Sequence, residues 1–125
     1  MSWNINYSEE LGIIEITYTG DVTGFDLLEA TAARISMQKE TGATLVLADA
    51  SQSLDGPPTM DLYNLPDRIY PDHESRRDTR IAFILPKHKN SRELATFFQT
   101  AARNRGWIIE LFEDRKSALS WLESK

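Results

Sequence analysis

Three short apolar runs set the strongest constraint on the fold: Thr44-Leu-Val-Leu-Ala48, Arg80-Ile-Ala-Phe-Ile-Leu85 and Trp107-Ile-Ile-Glu-Leu-Phe112. Each is too short for a buried helix and reads as a strand, and stretches of helical period lie between them. Leu45 and Leu47 alternate with Val46 and Ala48, and Ile81, Phe83 and Leu85 alternate with Ala82 and Ile84, so both faces of these strands are apolar. Such strands belong inside a sheet that is covered on both sides. Strands that alternate with helices are joined by right-handed crossovers and run parallel.

The remaining elements follow from local pattern. Ser2 to Tyr7 alternates Trp3, Ile5 and Tyr7 with Asn4 and Asn6, and Ile13 to Thr19 is a second alternating run beyond a turn at Ser8–Gly12. Two strands this close form an antiparallel hairpin. A helix is expected from Thr23 to Glu40, with Phe25, Leu28, Ala32 and Ile35 on its apolar face, Thr23 as its cap, Asp26 three positions on and Gly42 as its stop. Asp49 closes the strand begun at Thr44, and a loop spans Ser51 to Pro58. A short helix fits Thr59 to Ile69, interrupted by Pro66, and a charged connector runs from Pro71 to Thr79. Asn90 or Ser91 caps a helix to Arg105 with Leu94, Phe97, Phe98 and Ala101 inward, and Gly106 stops it. Asp114 caps a last helix that carries Ala118, Trp121 and Leu122.

The order is thus ββαβαβαβα. It describes one α/β domain over residues 1–125, with a mainly parallel five-stranded sheet and an N-terminal antiparallel hairpin. Two arrangements of the helices remain open. Strands laid down in spatial order put every crossover on one face, leaving the other to a partner subunit or an apolar ligand. Alternatively, helices pack on both sides.

Composition excludes several functions. Cysteine is absent, which removes disulfides, thiol nucleophiles and thiolate metal sites. No apolar run approaches the ~20 residues of a membrane span. The N-terminus carries no secretory pattern, so a cytoplasmic protein is expected. The net charge of -5 argues against a dedicated nucleic-acid binder. Nucleotide, phosphate-loop and nucleophile-elbow motifs are absent, and no catalytic residue, metal ligand set or cofactor is expected. Asp72-His73-Glu74 places three ligand types side by side, but neighbours in sequence rarely converge on one ion. Charge is uneven along the chain: residues 1–75 are strongly acidic, whereas residues 76–105 carry Arg76, Arg77, Arg80, Lys87, Lys89, Arg92, Arg103 and Arg105 against Asp78 and Glu93. That segment suits an anionic group or an acidic partner.

Leu45-Val-Leu-Ala-Asp-Ala-Ser51, the final strand, and Phe112-Glu-Asp-Arg-Lys-Ser-Ala-Leu-Ser-Trp-Leu122 resemble the SpoIIAA-like superfamily, which includes the STAS domains. The resemblance is nearest to its small stand-alone bacterial STAS-like branch. It implies a non-catalytic regulatory or protein-interaction module. It also implies two styles of use. Anti-sigma factor antagonists are switched by phosphorylation of a Ser or Thr in an Asp-Ser-Ser-Gly-like stretch at a helix N-terminus, and CRAL-TRIO-type domains on a related core hold lipid. No Asp-Ser-Ser-Gly occurs here; Ser51, Ser53 and Thr59 are the hydroxyls of the corresponding region, and they are the candidate phospho-switch.

Two further surfaces are expected. Met60, Leu62, Tyr63, Leu65, Ile69 and Tyr70 crowd around Pro66 and can cover an apolar seam against the strands Leu45–Ala48 and Ile81–Leu85. Lys87, His88 and Lys89 follow the second of these strands and can meet an anionic head group, so an amphiphilic ligand fits both parts. A larger residue at Ala82 is expected to fill the seam. Trp3, Tyr7 and Tyr18 are expected to form an exposed patch on the hairpin, and with the doubly apolar strands they point to a homodimer. An unidentified protein partner completes the expectation.

Overall fold

The computed structural model describes residues 2–53 and 78–124. Five strands form one sheet in the order β1-β2-β3-β4-β5. They are β1 Trp3–Ser8, β2 Ile13–Gly20, β3 Leu45–Ser53, β4 Arg80–Ile84 and β5 Ile108–Phe112. β1 and β2 are the antiparallel hairpin, and every later pairing is parallel. The described helices are α1 Gly24–Thr41, α2 Lys89–Asn104 and α3 Arg115–Glu123. The expected α/β class, mainly parallel sheet and hairpin are all present. The expected helix at Thr59–Ile69 lies outside the described residues.

The strands follow one another in spatial order, yet both faces of the sheet are covered. α1 packs over β1 and β2, and α2 packs over β5 on the same side. Beneath them lies the larger core, built on Ile14, Ile16, Val46, Ile81, Phe98 and Ile109. α3 leaves the last strand and crosses to the opposite face, where Ala118 and Leu122 close over Ile13, Leu47, Ala82 and Ile84. A terminal helix is not a crossover, so the handedness rule does not hold it to the face of the others.

Caps bound α1 and α3 as the sequence predicts. The Asp26 N–H donates to Thr23 Oγ1 at 3.1 Å, and the Thr23 N–H donates back to Asp26 Oδ2 at 3.0 Å, a reciprocal capping box. Gly42 ends α1 with φ 75°, a left-handed conformation that favours glycine, and its N–H donates to the Gln38 carbonyl at 2.8 Å. The Ser117 N–H donates to Asp114 Oδ1 at 2.7 Å at the start of α3.

Four expectations are corrected. First, Phe25 and Leu28 are 68% and 38% exposed, and the inner face of α1 is Leu27, Ala30, Thr31, Arg34, Ile35 and Gln38. A polarity pattern turns Arg34 and Gln38 outward, but here they satisfy each other inside. Second, α2 begins at Lys89 with His88 as its N-cap, and Phe97 on it is 38% exposed, while Ala95, Phe98 and Ala102 are buried. Third, β3 does not stop at Asp49. It runs on to Ser53 because Gln52 and Ser53 pair with Thr19 and Gly20 after an irregularity in the register. Fourth, Trp3, Tyr7 and Tyr18 form no exposed patch. They lie on the side of the hairpin that faces α1 and pack against the larger core.

Candidate functional site

Among the described residues α1 sits over β1 and β2 and α2 over β5, and a cavity on that face is lined from β2, β3, β4 and both helices. On β3 the side chains that point there are Val46, Ala48 and Ala50, and the last two are too small to fill it. A cavity of about 90 Å³ results. Tyr18, Leu27, Phe83, Leu94 and Phe98 supply most of its apolar wall. It lies toward the carboxyl ends of the parallel strands and between the N-terminal halves of the two helices. That is the edge at which open α/β sheets place their ligands.

Four polar residues, Thr31, Arg34, Ser53 and Ser91, also reach the cavity wall. Arg34 is only 2% exposed. Its Nη1 donates to Gln38 Oε1 at 2.8 Å. Gln38 Nε2 in turn donates to the Ala43 carbonyl and to Thr79 Oγ1, both at 3.0 Å. Sequence reasoning missed this network, because a helix pattern scored by polarity assigns such residues to solvent. Spacing was the available signal: Arg34 and Gln38 are one turn apart and in phase with Ala30 and Thr31.

The candidate switch residues stand as follows. Ser53 is buried at the end of β3, and its hydroxyl donates to the Ala50 carbonyl at 2.8 Å. Ser51 is half-buried, and its N–H donates to Asp49 Oδ1 at 2.9 Å. Both belong to a strand and not to the expected loop. Thr59 lies outside the described residues, as do the seam residues Met60, Leu62, Tyr63, Leu65, Ile69 and Tyr70 and the possible ligand His73. Of the strand residues expected on the sheet side of that seam, Val46, Ala48, Ile81 and Phe83 line the cavity. Ala82 is not part of it. It faces the other way and is buried beneath α3.

Among the described residues, the arginines of the basic segment are engaged in internal contacts. Arg80 lies over the Trp121 ring at 4.3 Å and donates to the Trp121 and Ser124 carbonyls. Arg92 pairs with Glu113, and Arg103 with Glu110 at 2.6 Å. The Arg92 guanidinium holds the Glu113 carboxyl below its ordinary range. Lys87, His88 and Lys89 remain exposed and form no ion pair with a described residue. They are flanked in the chain by Pro86 and Ser91, which both line the cavity. None of the three is itself among the residues that line the cavity.

Among the described residues no helix is long and apolar enough to cross a membrane. No family model matches the chain, and no curated protein matches it. Solved structures do. A protein of the DUF3478 family with a SpoIIAA-like fold, from Shewanella loihica PV-4, superposes with TM-score 0.59 at 20% identity over 96% of this chain and 91% of its own. The anti-sigma factor antagonist SpoIIAA in its unphosphorylated form superposes with TM-score 0.60 at 13% identity, over 98% of this chain and 99% of its own. At these identities the likeness is one of architecture, and it extends over the whole domain: the chain has the SpoIIAA-like fold.

Proposed function

We propose that the protein is a non-catalytic regulatory module of the STAS-like class that acts in the cytoplasm through contacts with another protein and with a second copy of itself. The observation that supports this reading is the correspondence in fold with an anti-sigma factor antagonist over 98% of this chain and 99% of that one. The switch falls to Ser51, Ser53 or Thr59. Ser51 is the more accessible of the two that are described, since Ser53 is buried and its hydroxyl is engaged. Affinity capture from the native cells, comparing wild type with Ser51→Asp, Ser53→Asp and Thr59→Asp, tests the switch. Loss or gain of one defined partner in a variant that melts like wild type is the expected result. Identical captured sets for all three variants remove it. Sedimentation at tens of micromolar tests the dimer, and a lone 14.3 kDa species refutes it.

A second reading has its own support. The apolar cavity, with the exposed basic run Lys87–Lys89 standing in the chain between its lining residues Pro86 and Ser91, suits a small-molecule sensor or carrier for an apolar ligand with an anionic group. Native mass spectrometry of the purified protein is expected to show a co-purified small molecule, and a mass equal to the bare chain at every preparation counts against it.

A further inference from the structure

The two edges of the sheet are finished differently. β5 is guarded by α2. The Phe112 carbonyl accepts from the Leu85 N–H at 2.9 Å on the β4 side, so the Ile109 carbonyl, out of phase with it along the strand, turns to the open edge. Gln99 Nε2 donates to that carbonyl at 3.3 Å, and the neighbouring Glu110 pairs with Arg103. An occupied acceptor and a charged pair keep further strands from adding to an edge.

β1 has neither. Trp3-Asn-Ile-Asn-Tyr-Ser8 contains no charge and no proline, and its register with β2 runs from Trp3↔Tyr18 to Ser8↔Ile13 without a bulge. The Thr19 N–H donates to the Ser2 carbonyl at 2.8 Å, so Ser2 and, by alternation, Asn4, Asn6 and Ser8 turn their backbone groups to β2. The N–H and C=O groups of Trp3, Ile5 and Tyr7 turn outward, and no described residue bonds to them. Residues 54–77 join β3 to β4, and β2 separates both of these strands from this edge.

The open strand is complementary to itself. Laid antiparallel to a copy about Ile5, it sets Trp3 opposite Tyr7 of the partner subunit and Asn4 opposite Asn6 of the partner subunit, and this register uses every outward backbone group. Apolar side chains then meet on the α1 side, and the exposed amides of Asn4 and Asn6 meet on the other. The pairing is two-fold and closes on itself, because the edges that remain are the guarded ones. Resting on the dimer reading above, we infer that β1 pairs antiparallel with β1 of a second copy about Ile5 and joins two five-stranded sheets into one.

Sedimentation of the full chain at tens of micromolar, with amide exchange read by NMR, tests this. Wild type is expected to sediment as a dimer. Its Trp3, Ile5 and Tyr7 amides are expected to gain protection as concentration rises, while those of Asn4, Asn6 and Ser8 stay protected throughout. Asn4→Lys/Asn6→Lys sets like charges opposite each other across the junction and is expected to weaken the dimer by about tenfold or more. Asn4→Lys/Asn6→Glu sets opposite charges there and is expected to dimerise at least as tightly as wild type. Both positions are exposed, and thermal melts establish that the variants fold. If one does not, the exchange pattern of wild type decides. A lone 14.3 kDa species for wild type overturns both the inference and the dimer reading. A dimer that the like-charged variant leaves intact, or that forms without protecting the Trp3, Ile5 and Tyr7 amides, overturns the use of this edge and keeps the dimer reading. Equal weakening by both variants overturns the antiparallel register about Ile5.

Discussion

Gln38 joins three parts of the chain through one side chain. It accepts from Arg34 on its own helix and donates to the Ala43 carbonyl ahead of β3 and to the Thr79 hydroxyl ahead of β4. All of these groups are away from water, so removing the amide takes a hydrogen-bond partner from each of them. Gln38→Ala is expected to cost about 2–4 kcal/mol, read by chemical denaturation, the sum of unmet polar groups and a small cavity. A loss below that of an ordinary surface substitution would show that water replaces the amide. The capping carboxylates act at the same scale. The Thr23 N–H holds the Asp26 carboxyl below its ordinary 3.8, and the Ser117 N–H does the same for Asp114. A carboxyl with a depressed folded pKa contributes stability that is full above its unfolded value and fades as pH falls through the folded one. Stability is therefore expected to decline below about pH 4. Asp26→Asn/Asp114→Asn should flatten that decline in an acid titration followed by circular dichroism, and an unchanged slope would refute the linkage.

At the scale of elements, α3 is a short helix that must stay on its face without a following strand to hold it. Its buried contribution is small, chiefly Ala118 and Leu122. Arg80 at the start of β4 compensates. Its guanidinium stacks on Trp121 and donates to the Trp121 carbonyl at 2.6 Å and the Ser124 carbonyl at 2.5 Å, so it caps the helix end with a positive charge. At the other end of α3, Arg115 pairs with Glu15 of β2. Arg80→Leu is expected to cost about 1–3 kcal/mol and to raise amide exchange in α3 before the sheet responds. Arg80→Lys should recover only part of this, because an ammonium lacks the planar fork that serves two carbonyls and a ring together. Exchange that rises equally across sheet and helix would show that α3 unfolds only with the whole domain.

At the scale of the molecule, the two faces of the sheet differ in how tightly they are filled. Beneath α3, Ala82 and Leu47 have no exposed surface, whereas on the other face the described residues line a cavity of about 90 Å³. Adding bulk should therefore have opposite consequences on the two sides. Ala82→Phe is expected to overpack its face and cost about 1–3 kcal/mol or more. Ala50→Leu, with space before it, is expected to cost less or to stabilise, and paired denaturation curves decide between them. The reverse order would mean that the cavity is not free to receive a side chain.

Periodicity alone was enough for the α/β class, the hairpin, the parallel strands and most element ends, because these depend on residues near one another in sequence: alternation in β1 and β2, doubly apolar runs in β3 and β4, and caps at Thr23, Asp114 and Gly42. Which way α1 turns its faces was not legible, since Arg34 and Gln38 are polar by type and become interior residues only through partners as distant as Thr79. The burial of Trp3, Tyr7 and Tyr18 likewise required knowing where α1 lies. Lys87, His88 and Lys89 could be singled out as a basic run, but the pairing of Arg92 with Glu113 and Arg103 with Glu110, which leaves that run exposed, depends on α2 lying along β5. The cavity is the furthest from the sequence: small residues such as Ala48 and Ala50 line it together with Leu27 of α1 and Leu94 of α2, and that meeting is decided by packing between elements and not by any one of them.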